Sequence, residues 1–159
     1  MNNQTISMPR ALVAIEDTDR DRDVLQRART FAIGADIDLV VVALATPDEY
    51  EEVERTLDEI GRAEHTSYDE DAILEGLFGD VDDLAHEVLG DAVDYELRPV
   101  VADTSNQATS IVDIAQNTDC DHVFLAGVRR SPTKKAIFGD RAQQVILEFE
   151  GYVTVSMGR

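Results

Sequence analysis

Apolar positions along this chain follow two rhythms. Short, nearly continuous apolar runs occur at residues 10–16 (RALVAIE), 37–45 (IDLVVVALA), 121–126 (DHVFLA) and 152–157 (YVTVSM). Such runs suit strands of a parallel sheet that is covered on both faces. A fifth run, 93–101 (VDYELRPVV), is interleaved with polar residues and contains Pro99. Proline cannot donate to a central ladder, so this strand is expected at a sheet edge. Between the runs, apolar residues recur at helical spacing. Val24, Leu25, Ala28, Phe31 and Ala32 form one stripe, with Gly34 as its expected stop. Pro47 opens a second helix carrying Val53, Leu57 and Ile60, which Gly61 to His65 are expected to break. Ser67 with Glu70 reads as a capping box for a third helix, whose stripe runs from Ile73 to Leu89 and ends at Gly90. Two more helices are expected, from about Ser105 to Asn117 and around Ala142, Val145, Ile146 and Phe149.

The order β-α-β-α-α-β-α-β-α-β predicts an α/β fold: a five-stranded parallel doubly wound sheet, Rossmann-like or flavodoxin-like, in an α/β/α sandwich. Ligands in such sheets bind beyond the carboxyl ends of the strands at the switch point. The loops after Ile15 and Ala126 are therefore the ones to inspect. Residues 1–159 are expected to form one domain, with 1–8 a flexible N-terminus. No signal-peptide pattern opens the chain, and no apolar run approaches the ~20 residues of a membrane helix. The one cysteine, Cys120, allows no internal disulfide and is expected to be buried and inert. A cytoplasmic location is expected.

Charge changes the picture. There are 33 acids against 14 bases, a formal net charge of −19. Hydrophobic residues make up 43%, enough for a core, so the acid load does not mean disorder. DNA, RNA and anionic membranes are disfavoured as partners, because binding them rests on Lys and Arg neutralising phosphates. Twelve of the bases are Arg and only two are Lys, while Asp outnumbers Glu 20 to 13. That bias suggests a halophilic source, since molar salt shortens the Debye length to ~3 Å and screens self-repulsion.

One segment runs against the charge. Residues 127–142 read GVRRSPTKKAIFGDRA, and between 129 and 141 five bases (Arg129, Arg130, Lys134, Lys135, Arg141) face Asp140 alone. Gly139 precedes a helix, whose free N–H groups and partial positive charge suit phosphate. The bland alternative is that these cations pair with acids elsewhere.

This segment resembles the nucleotide loop of the universal stress proteins, whose nucleotide-binding members carry G-x2-G-x9-G-[S/T] after the fourth strand of the same element order. The resemblance runs from about residue 9 to 157, and the stretch RRSPTKKAIFGD-x-AQ is similar to halophilic archaeal members especially. It implies the adenine nucleotide alpha hydrolase-like version of the fold, a role in stress response, and binding of ATP, with Mg, or of another phosphorylated ligand. Glu16 would meet the ribose, and Ala43 or Leu44 would approach the base by backbone contacts. Gly127, Gly139 and the N–H groups of Asp140 and Arg141 would face phosphate, helped by Arg130 and Lys134. The resemblance also implies a homodimer through the final strand, 152–157, which carries no Lys, Glu or Pro to guard its edge.

Four positions depart from the pattern. Arg130 stands at the second Gly, eight residues (131–138) precede the next Gly, Asp140 replaces Ser or Thr, and Glu16 replaces an Asp. As N-cap of the last helix, Asp140 would claim the N–H groups a phosphate needs. The alternative reading is therefore a nucleotide-free dimeric interaction module whose basic loop, 129–141, docks an acidic partner. Other chemistries lack their residues. There is no P-loop and no dinucleotide fingerprint. The acidic turn Glu16-Asp17-Thr18-Asp19 would repel a flavin phosphate, and no Lys follows the fifth strand as a receiver domain requires. His65, His86 and His122 have no metal-ligand spacing. Slow ATP hydrolysis would lack a positioned base, with Glu16 or Asp17 only guesses, so a binding protein is expected rather than an enzyme.

Overall fold

The computed structural model describes residues 9–128 and 139–157. Its elements are β1 (Arg10–Ile15), α1 (Thr18–Ala35), β2 (Leu39–Ala45), α2 (Pro47–Glu64), α3 (Glu70–Leu89), β3 (Tyr95–Val101), α4 (Thr104–Asn117), β4 (Cys120–Ala126), α5 (Asp140–Glu148) and β5 (Tyr152–Ser156). The strands form one all-parallel sheet in the order β3-β2-β1-β4-β5. The expected alternation and the doubly wound sheet are both present. Strand β2, the most continuous apolar run, is buried at every residue. Alternate residues feed two cores. Ala11, Val13 and Ile15 of β1 pack toward α1 and α3, and Leu12 and Ala14 toward α4 and α5. Helix α2 lies against α3.

The two edges differ in what they offer. In a parallel ladder a residue sends both its backbone bonds to one neighbour, and successive residues alternate sides. Leu39 N–H donates to Asp94 O at 3.0 Å, and Ala102 N–H to Ala45 O at 3.0 Å. The even-numbered residues of β3 therefore serve β2, while Tyr95, Leu97, Pro99 and Val101 turn their backbone outward. The N–H that Pro99 lacks belonged to the open edge, so no ladder bond is lost, and the edge position expected for this strand is the one observed. At the opposite edge, Gly127 N–H donates to Ser156 O at 2.8 Å. By the same alternation, Val153 and Val155 of β5 present N–H and C=O outward.

Several boundaries differ from expectation. Gly34 does not stop α1; the helix ends at Asp36, which takes the left-handed conformation (φ 56°) and donates to the carbonyls of Ala32 and Ile33. Phe31 is not in the core either. It lies beside the rings of His122 and Phe124, at 4.7 and 5.4 Å between centroids. Gly61 does not break α2. It is a buried helical residue that lets the chain fold back: a Cβ there would sit 2.6 Å from Thr66 O. Helix α2 starts on a capping box of Thr46 and Glu49. Helix α3 has Asp69, not Ser67, as N-cap, with Ala72 N–H donating to its carboxylate at 3.0 Å.

Candidate functional site

The switch point falls between β1 and β4, whose outgoing connections lead to opposite sides of the sheet. The turn after β1 is tied down by Asp21, a carboxylate only 1% exposed. Its Oδ2 accepts the N–H of Glu16 at 2.8 Å and of Asp17 at 3.0 Å, and its Oδ1 accepts Arg20 Nε at 2.9 Å. Asp17 caps α1 by accepting from the N–H groups of Asp19 and Arg20. The hydrogen bond to Asp21 raises the Arg20 pKa further above its ordinary value, and Glu16 adds to the effect, so this cation is permanent.

Glu16 leaves this turn already paired. Its Oε1 accepts Arg20 Nη2 at 3.1 Å and Arg141 Nη2 at 3.2 Å. Arg141 in turn donates through Nη1 to Gln107 Oε1 at 2.7 Å, and Gln107 Nε2 donates to Ala102 O at 3.1 Å. Gln107 is wholly buried. One polar chain thus joins the turn after β1, the connection after β3 and the first turn of α5. Arg141 Nε is buried without an acceptor among the described residues. A buried orphan donor is rare enough to mark a place where a ligand or water belongs.

The start of α5 corrects one expectation. Gly139, not Asp140, is the N-cap, and among the described residues no side chain caps the helix. Gly139 has φ 90°, and a Cβ on it would press on Val128 at 3.3 Å, so this position needs glycine. Asp140 is the first helical residue, and its carboxylate does not take up the terminal N–H groups. These retain their partial positive charge at the switch point.

The remaining expected residues are spread more widely. Gly127 directly follows β4, and its N–H is committed to Ser156. Ala43 and Leu44 are buried near the carboxyl end of β2, Ala43 in register with Ile15 of β1 and with Pro99 of β3. Arg130 and Lys134, like Arg129 and Lys135, lie outside the described residues. Cys120 is buried, and burial pushes its thiol pKa up. Among the described residues no helix is long and apolar enough to cross a membrane.

Sequence reasoning missed Asp21 and Gln107. Each carried a signal. Asp21 falls on the stripe of Val24, Leu25, Ala28 and Ala32, and Gln107 on that of Ala108, Ile111, Val112 and Ala115. A polar side chain on an apolar stripe is buried and must have found a partner.

The five-stranded parallel sheet is a doubly wound α/β fold, and it matches solved universal stress protein structures, which have the adenine nucleotide alpha hydrolase-like fold. Within it, the profile of the universal stress protein family matches residues 8–156, and the chain belongs to that family. A search of curated proteins returned no match. Among solved structures, a universal stress protein from Archaeoglobus fulgidus is 25% identical, with 94% of this chain and 98% of that one covered and a TM-score of 0.55. Two more distant neighbours share the fold. The Archaeoglobus fulgidus universal stress protein in complex with dAMP is 21% identical (95% and 98% covered, TM-score 0.52). A universal stress protein in complex with cAMP is 16% identical (94% and 96% covered, TM-score 0.54).

Proposed function

We propose that this chain binds an adenine nucleotide, ATP with its Mg or a related phosphorylated ligand, beyond the carboxyl ends of β1 and β4. The observation that carries this reading is the start of α5: an N-terminus with no side-chain cap among the described residues, placed at the switch point beside Arg141, whose side chain is 14% exposed. The residues suit an anion. Among the described residues the first N–H groups of α5 and Arg141 Nε have no protein acceptor, and a phosphate supplies acceptors. Two relatives of this fold are complexes with dAMP and cAMP. The ribose would lie near Glu16, whose carboxylate has acceptor sites beyond the two bonds it already makes. The base would lie near Ala43 and Leu44, with Gly127, Gly139, Asp140 and Arg141 lining the phosphate side and Arg130 and Lys134 contributing charge. The chain would work as a homodimer through β5.

A second reading has one observation in its favour. Glu16 and Arg141, the carboxylate for the ribose and the cation for the phosphate, already satisfy each other at 3.2 Å. A nucleotide-free module, docking an acidic partner through its basic loop, would keep that pair closed.

Calorimetry with Mg-ATP in molar KCl separates the two. Nucleotide binding predicts saturable heat in the wild type. It also predicts about twofold to fivefold tighter binding in Asp140→Ser, since one charge at an exposed helix terminus is worth roughly 0.3–1 kcal/mol. Absence of heat from both proteins at millimolar nucleotide would leave the interaction module standing.

A further inference from the structure

Away from the switch point, α3 and the edge strand β3 enclose a groove of about 320 Å³. Its floor is apolar: Leu74 and Phe78 from the helix, Leu97 and Pro99 from the strand. Gly79 leaves it open, because a Cβ at that position would meet nothing within 4 Å. Three exposed carboxylates line it as well, those of Asp71, Glu75 and Asp82, and none is ion-paired among the described residues. Among the described residues no basic one lines it.

We propose that this groove docks a basic amphipathic helix of another protein, with apolar side chains on the floor and Lys or Arg against the three carboxylates. The charge selects the partner. At contact range a carboxylate-rich face of a second copy would set carboxylate against carboxylate, whereas a basic helix pairs its cations with Asp71, Glu75 and Asp82. The edge selects the mode. Pro99 has no N–H to offer outward, which interrupts main-chain pairing along β3 where the groove lies. A partner is therefore held by side chains, as when a helix lies in a groove, rather than by adding a strand. The size agrees. From Asp71 to Asp82 the groove follows α3 for about three turns, ~16 Å at 1.5 Å per residue, enough to seat a short helix. Its volume is at the low end of the ~300–1,000 Å³ typical of ligand clefts, which suits a few side chains.

The test is an NMR titration of the whole chain with three synthetic helical peptides of equal length. One places Leu at i, i+4 and i+7 among Lys, one has the same Leu among Glu, and one has Ala for Leu among Lys. The Leu/Lys peptide is expected to shift the backbone amides of Leu74, Phe78 and Leu97 saturably, and the other two to leave them unmoved. Gly79→Leu fills the groove from an open position, with its fold checked by circular dichroism, and should weaken binding at least tenfold. Glu75→Lys combined with Asp82→Lys should transfer preference to the Leu/Glu peptide. Shifts scattered over the acidic surface, or equal binding of the Ala/Lys peptide, would overturn the proposal. So would unchanged affinity in Gly79→Leu, or a change in the protein's own oligomeric mass caused by that substitution, which would assign the groove to a second copy.

Discussion

Asp21 has the clearest single role in the site. It sits in DTDRDRD, where three neighbouring aspartates look identical by composition, yet only its side chain is inside. Replacing it with alanine strips the acceptor from two backbone N–H groups and leaves Arg20 without its closest partner. Breaking a buried, hydrogen-bonded ion pair typically costs ~3–5 kcal/mol. Arg20 is half exposed and its charge is not stranded, so the lower end applies here: Asp21→Ala is expected to lose ~3 kcal/mol, read from the urea midpoint. Its burial was legible in principle from the helical stripe. The pairing of Glu16 with Arg141 was not, because the two are 125 positions apart and nothing local connects them. Glu16 is legible as the residue ending the first apolar run. That it would arrive with two arginines on one oxygen depends on the sheet order, which brings α5 to the turn after β1.

At the level of elements, strand positions were legible because apolar runs and their interruption by Pro99 report directly on cover and edge. Helix ends were less so. The αL cap at Asp36, the fold-back of Thr66 onto Gly61, and the preference for Asp69 over Ser67 depend on which carbonyl or N–H lies near at the end of a turn, and spacing does not encode that. The alternation in β5 gives a sharp test of the proposed dimer. Val155 turns its backbone to the open edge, so Val155→Pro removes an outward N–H and spares the ladder to β4. The wild type is expected to have a dimer's mass by light scattering in molar KCl and Val155→Pro a monomer's, with the fold retained. Tyr152, within β5 itself, is 67% exposed, as a residue covered in a dimer would be in the single chain. A monomeric wild type would remove the dimer from the proposal.

For the molecule as a whole, the charge is mostly uncompensated. Among the described residues only Glu16, Asp21, Glu87 and Glu96 form ion pairs. The remaining carboxylates repel one another across a small surface, and at 1 M salt a Debye length of ~3 Å quenches most of that repulsion. Stability measured by urea titration should therefore rise from dilute buffer to molar KCl, and an unchanged midpoint would count against adaptation to salt. The contrast between the two sheet edges bears on the proposed dimer. In the proposed dimer, pairing about a two-fold axis would use up both copies of β5 and join two sheets into one, which would then end on β3 at either side. Each of those ends carries Pro99 where another strand would need a donor. In the proposed dimer, growth by strand addition would then stop at two chains, giving a discrete particle and not a filament.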